Sequence, residues 1–207
     1  MSSEDLNSLC NYLNLLSAEE LHRIDDFRFS RFPRLSGSTR ERAIRDIRSF
    51  LESVDPLDLR LEYVGWFYSW LASQCVFQPW TVYRLDASSA ARPANLPERL
   101  EHAMRSPTSH TKMVAMMDRF GRYACIMTRN PAMDTLRHEV TCVCVWNMIP
   151  YLAVCPVAMT DVRRLGRALS TVLRGEHAQR AIGNYQTCWD ALTAATNNFV
   201  EEHFGLR

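Results

Sequence analysis

Apolar residues keep a helical period through the first third of the chain and then alternate, which predicts a helical opening followed by strands. Leu6, Leu9, Leu13 and Leu16 recur at helical spacing, so the chain opens on a helix. Ser17-Ala18-Glu19-Glu20 has the serine-to-glutamate spacing of a capping box and starts a second helix with Leu21 and Ile24. Pro33 and Gly37 make 28–37 a loop, after which Ser38 or Thr39 can cap a third helix carrying Ala43, Ile44, Ile47, Phe50 and Leu51. Asp55 as cap and Pro56 in the first turn open a fourth, from Leu57 to Cys75, whose Tyr63, Trp66, Phe67 and Trp70 mark it as the helix around which the others pack.

Pro79 to Leu85 alternates as a strand does, and Ala87 to Pro97 is rich in small residues and proline. Leu96 to Met104 reads as a short helix. Thr111 to Met117 and Arg122 to Thr128 form a hairpin about Asp118-Arg119-Phe120-Gly121. A polar loop over 129–138 leads to a second strand pair, Glu139 to Trp146 and Tyr151 to Cys155, joined through Asn147-Met148-Ile149-Pro150. Asp161 to Leu173 and Ile182 to Phe204 read as helices. The fold class is α+β: a helical domain over 1–78, then an antiparallel β-sheet domain over 79–207 with flanking helices on one face.

Composition is that of a globular protein, 47% hydrophobic and 23% charged, and no run approaches the ~18 apolar residues of a membrane span. The opening MSSEDLNSLC is acidic and has no basic stretch before an apolar core, so no secretory signal is expected and the chain is placed inside the cell. Seven cysteines, several in apolar strands, read as reduced core residues. Cys142 and Cys144 alternate along a strand, so both thiols point to one face, and no CxxC occurs. The six histidines are scattered and read as surface residues, without an HxH or HExxH arrangement. Neither a GxSxG elbow nor a GxxxxGK[ST] loop is present, so no cofactor, metal or small-molecule substrate and no enzymatic activity are expected.

Charge changes sign along the chain. Residues 1–86 carry ten arginines against thirteen acids, whereas 87–207 carry thirteen arginines and one lysine against ten. Arginine grips phosphates bidentately, although a GC-rich genome produces the same arginine excess without any function. Seven arginines fall between Arg28 and Arg48 with only Glu41 and Asp46 to offset them, and Arg40, Arg42, Arg45 and Arg48 line the third helix, where Arg45 and Arg48 can share a face. Glu41–Arg45 and Arg42–Asp46 ion pairs on a solvated face would account for much of that stretch. A second group, including Arg119, Arg122, Arg129, Arg137 and His138, sits on turns and loops. Arg163 and Arg164 open a helix, where cations oppose the macrodipole, which points to an anionic partner. Backbone contact with duplex DNA is the modest form of that expectation, since no base-reading motif occurs.

The order of Pro79-Trp80-Thr81-Val82-Tyr83-Arg84-Leu85, Glu139 to Trp146 leading into Ile149-Pro150-Tyr151-Leu152, Leu165-Gly166-Arg167-Ala168-Leu169 and Trp189-Asp190-Ala191-Leu192 resembles the N-terminal region of the centromere protein N family, over nearly the whole chain. The resemblance implies a pyrin-like, death-fold helical bundle joined to an α+β domain. It also implies a nuclear inner-kinetochore subunit that binds nucleosomes containing the centromeric histone H3 variant, together with adjacent DNA, in support of chromosome segregation. On that resemblance Glu4 and Asp5 on the first helix would meet the histone, and Arg40, Arg137 and His138 fall at or near the family's basic positions, with Arg42, Arg45, Arg129, Arg163 and Arg164 as further DNA contacts. Members of the family continue into a region that pairs with centromere protein L, and this chain resembles the portion before it. Two departures stand out: no basic residue precedes His22, and Thr187 replaces an arginine of the last helix.

A reading from a different class remains open, an adaptor of death-fold type without DNA binding, in which Glu19, Glu20, Asp25 and Asp26 complement the arginine-rich stretch in self-association. A Cys/His nucleophilic pair assembled in space remains open as well.

Overall fold

The computed structural model describes residues 1–27, 32–85, 95–106, 109–129, 137–158, 162–173 and 181–205. Arg28 and Arg31 of the basic stretch, 87–94 of the proline-rich stretch, most of the polar loop (130–136), Asp161 and His177 lie outside the described residues.

Four helices open the chain: α1 (Ser3–Leu13), α2 (Ala18–His22), which runs into a 3-10 turn over Arg23–Asp26, α3 (Arg40–Ser53) and α4 (Leu57–Ser73). Their starts are written in side chains. The Ser2 and Ser17 hydroxyls accept from the backbone N–H of Asp5 and Glu20, whose carboxylates accept in return from the serine N–H, and Thr39 accepts from the Arg42 N–H. At α4 the expected Asp55 cap is not formed: Pro56, with extended backbone at ψ 172°, is the cap residue, so helical geometry begins one residue later. α4 is apolar nearly all round and is buried accordingly, with Leu61, Phe67, Trp70 and Leu71 almost fully enclosed.

The sheet has six antiparallel strands in the order β2-β3-β4-β5-β1-β6: β1 (Trp80–Arg84), β2 (His110–Met117), β3 (Gly121–Arg129), β4 (Glu139–Trp146), β5 (Tyr151–Ala158) and β6 (Ala181–Tyr185). Strands β2 to β5 form the expected meander, and β1 returns to lie beside β5. Three further helices complete the fold: α5 (Leu96–Met104), α6 (Val162–Val172) and α7 (Cys188–Phe204). The helix expected from Ile182 is shorter than its pattern suggested. Residues 181–185 pair with β1 as an edge strand, and α7 starts only where the Thr187 hydroxyl and Asp190 carboxylate make a reciprocal capping box.

Helices cover both faces of the sheet, not one. Side chains of α1 to α4 and α7 pack on the face made by Tyr123, Cys125, Met127, Cys142, Cys144, Tyr151 and Cys155. α5 and α6 pack on the other, made by Ala124, Ile126, Val143, Val145, Leu152 and Val154. Strand β4 is therefore buried at every position, which explains its apolar run from Cys142 to Trp146. The helical segment and the sheet share one apolar core, since Leu9, Leu13, Phe67 and Trp70 belong to the same cluster as Trp80, Val82, Cys142 and Tyr151. That cluster spans the change of pattern near residue 78.

Gly65 sets how closely α4 sits on the sheet. A Cβ there would come within 2.7 Å of a Val114 methyl and 2.9 Å of the Met127 methyl. One turn on, the Ser69 hydroxyl lies 2.9 Å from the Gly65 carbonyl and 3.0 Å from that of Val114, so its single proton is shared between helix and strand. Cys125, Cys142 and Cys155 stand side by side across β3, β4 and β5. All three are buried, and burial pushes the Cys142 thiol well up and that of Cys155 up to about 12, which suits inert packing residues.

Candidate nucleic-acid interface

Register brings several of the expected site residues to one end of the sheet. Thr128 pairs with Glu139, so Arg129 at the end of β3 and Arg137 and His138 ahead of β4 lie across the same connection. Val140 pairs with Ala158, which brings the end of β5, and after it the start of α6 with Arg163 and Arg164, to the same end. Lys112 and His110 belong there too, because His110 pairs with Arg129.

The side chains divide into two kinds. Arg137 is exposed, and its Nη2 donates to the Ser8 hydroxyl on α1 at 2.8 Å. Arg163 is exposed on α6, and Arg129 is half-buried, with its Nε unpartnered among the described residues. His138 and Asp5, by contrast, are buried against each other, at 5% and 6% exposure. The backbone N–H of His138 donates to Asp5 Oδ1 at 2.9 Å, and its ring Nδ1 lies 2.8 Å from Oδ2. An ionised carboxylate can only accept, so Nδ1 carries the proton. Burial by itself raises the Asp5 carboxyl, but the bonds from the side chain and backbone of His138 and from the backbone of Ser2 outweigh it and hold it below the ordinary carboxylate value.

Asp5 as a histone contact and His138 as a DNA contact are therefore corrected: together they fasten α1 to the start of β4. The general expectation of surface histidines fails at the same residue. The pair also lacks room for chemistry, since the cavity beside it measures about 10 Å³, space for one water at most. Arg164 is corrected as well. Its side chain is only 14% exposed and forms an ion pair with Glu139, itself 10% exposed. Burial, and then the charge of Arg167, lower its pKa. The helix-opening cation that looked unexplained answers a carboxylate buried at the strand start.

On α3, Arg40, Arg42 and Arg45 remain exposed. Glu41 lies 3.3 Å from Arg40 rather than pairing with Arg45, and Arg42 reaches Asp46 at 3.8 Å, as expected. Such exposed pairs are worth roughly 0–1 kcal/mol and leave the guanidinium groups available. Arg48, which the site assignment omitted, does more. It donates to Glu52 at 2.8 Å and to Asn7 Oδ1 on α1 at 2.6 Å. Asn7 is next to Ser8, the partner of Arg137, so a cation from α3 and one from the sheet rest on adjacent residues of α1. Arg40 is two turns further along α3, about 12 Å of helix rise from that meeting point.

Arg60 and the N-terminal amine are further cations with no local signal. The Arg60 guanidinium donates to the Val54 and Glu52 carbonyls and so closes the end of α3. Burial lowers the Met1 amine, Asp5 raises it, and Arg129 and Arg60 lower it, which puts these three cations in one neighbourhood. Glu4 stays exposed on α1. Of the acids proposed for self-association, Asp25 accepts from the Leu35 and Ser36 backbone and Glu20 closes its capping box. No protein-family model matches the chain, and no curated protein matches its sequence.

Proposed function

We propose that this chain is a nuclear inner-kinetochore subunit that binds centromeric nucleosomes, mainly by gripping the DNA phosphate backbone with exposed guanidinium groups. Helices α1 to α4 are read as a pyrin-like bundle, and Glu4 is its remaining candidate for contact with the histone variant. One observation carries the reading: Arg48 and Arg137, from opposite parts of the chain, hydrogen-bond adjacent residues of α1 and so form one cationic surface, with Arg163 and Arg129 at the same end of the sheet. Phosphate oxygens are the ligand that such a surface suits, because Arg137 and Arg163 are exposed and Arg48, half-buried and paired with Glu52, and half-buried Arg129 add to the positive charge beside them. The buried Asp5–His138 and Arg164–Glu139 pairs support it by holding α1 and α6 at the positions from which these cations project.

An electrophoretic shift of the full chain with variant nucleosomes, ordinary nucleosomes and bare duplex tests this. Affinity for all three should fall with salt, with a log–log slope of about −0.9 for each phosphate engaged, and the variant nucleosome should retain an advantage that bare duplex lacks. A response flat in salt removes the proposal, and equal affinity for the two nucleosomes removes its histone part.

A further inference from the structure

The turn between β2 and β3 and the start of α7 enclose an open cavity of about 440 Å³ that the proposed DNA surface does not use. Phe120 and Trp189 make its aromatic wall, edge to face with centroids 5.4 Å apart. Trp189 is 53% exposed, far more than a packing tryptophan. Arg119 lies over the Phe120 ring, 4.6 Å from its centroid, so the guanidinium is held in place while still open to solvent. Met117 ends β2 beside this turn, and Met148 lies on the neighbouring turn, whose Asn147 N–H donates to the Phe120 carbonyl. Both methionines are exposed.

The carboxylates at this surface are committed to local hydrogen bonds. Asp118 accepts from the Phe120 and Gly121 backbone N–H groups at 2.8 and 3.0 Å and so holds the turn, and Asp190 is spent on the α7 capping box. Arg119 has no carboxylate partner among the described residues. Tryptophan, arginine, methionine and phenylalanine are the residue types enriched at protein interfaces. A strand of phosphates would need several cations, whereas a single carboxylate matches the single guanidinium.

We infer that this cavity is a docking socket for a segment of a partner protein that lays one large apolar side chain against Trp189 and Phe120 and sets a neighbouring carboxylate on Arg119. The aromatic side chains offer large contact area with few rotatable bonds, which reduces the ordering cost of binding. The socket lies at the β2–β3 turn, away from the loop end that carries Arg137, so the chain can hold DNA and a second protein together.

Selection of a random short-peptide library displayed on phage, against the full chain, provides the test. Enriched sequences should place Asp or Glu beside Trp, Phe or Leu. Trp189→Ala should weaken the selected peptides about thirtyfold, the size of an interface hot spot. Arg119→Glu, an exposed change that leaves the turn bonds of Asp118 intact, should reverse the preference to Lys or Arg at the neighbouring position. Absence of enrichment, peptides retained equally by both variants, or displacement of the peptides by a single-stranded oligonucleotide would each overturn the assignment.

Discussion

The two ends of the sheet use charge in opposite ways. At the loop end two polar pairs are driven into the protein, the hydrogen-bonded Asp5 and His138 and the ion pair of Glu139 with Arg164, and they join separate elements of the fold. At the turn end the carboxylates of Asp118 and Asp190 bind only within their own turn and helix cap, and aromatic surface is left in solvent. The comparison separates basic side chains that build the fold from those that remain for a partner. His138 and Arg164 belong to the first kind, and Arg137, Arg163 and Arg119 to the second.

The sharpest way to break that comparison is to remove a buried partner. His138→Ala leaves the enclosed Asp5 carboxylate with only the backbone N–H groups of His138 and Ser2, and losing the ring's hydrogen bond to a buried carboxylate costs about 1–3 kcal/mol. Thermal melting should show a loss of this size, whereas Arg163→Ala should leave the melt almost unchanged. The pH dependence carries a sign. Because Asp5 titrates below its unfolded value, its contribution is present above about pH 4 and is lost as pH falls through the lower, folded value. The acid limb of the stability curve should therefore be shallower in His138→Ala than in the wild type.

The central packing sets the next scale. Gly65→Ala drives a methyl into Val114 and Met127, and overpacking of this kind costs about 1–3 kcal/mol. Chemical denaturation should show the loss as a lower midpoint at unchanged slope. Thr187→Ala removes the hydroxyl that caps α7 and should cost about 1 kcal/mol in the same assay. It should also weaken peptide binding at the socket, since Trp189 stands in the first turn of that helix. The equivalent loss at the loop end would leave the socket unaffected.

Much of the scaffold was legible from local pattern. Alternation, turn residues and capping boxes placed α5 at its observed bounds and β2 to β5 within a few residues, because hairpins and caps are short-range devices. Strand β6 was not legible: five residues with Gly183 near their centre make a weak pattern, and they become a strand only by pairing with β1 about a hundred residues earlier. The cover on both faces is written in the apolar run of β4 from Cys142 to Trp146, which a strand with one solvated face would not carry. In the site, exposed arginines on α3 and α6 followed from sequence, but the burial of His138 did not. Asp5 lies 133 residues away from it, and no local spacing announces such a pair. Arg164 did announce itself, as a cation at the wrong end of a helix, although its answer was the carboxylate of Glu139 in this chain.

The smallest effect gives the finest discrimination, because it compares exposed arginines that differ only in place. Arg137 sits at the meeting of α1 with the sheet, while Arg40 lies at the far end of α3 beside Glu41. If the cationic surface is centred on α1, Arg137→Ala should reduce the salt slope of DNA binding by about 0.9, the loss of one phosphate contact. Arg40→Ala should change it less, and Arg119→Ala, at the turn end, not at all. Neither Arg137→Ala nor Arg119→Ala should shift the melting temperature appreciably, since both side chains are exposed. Equal slopes for all three variants would mean that DNA senses only net charge, and the division of labour between the two ends would then be confined to the fold.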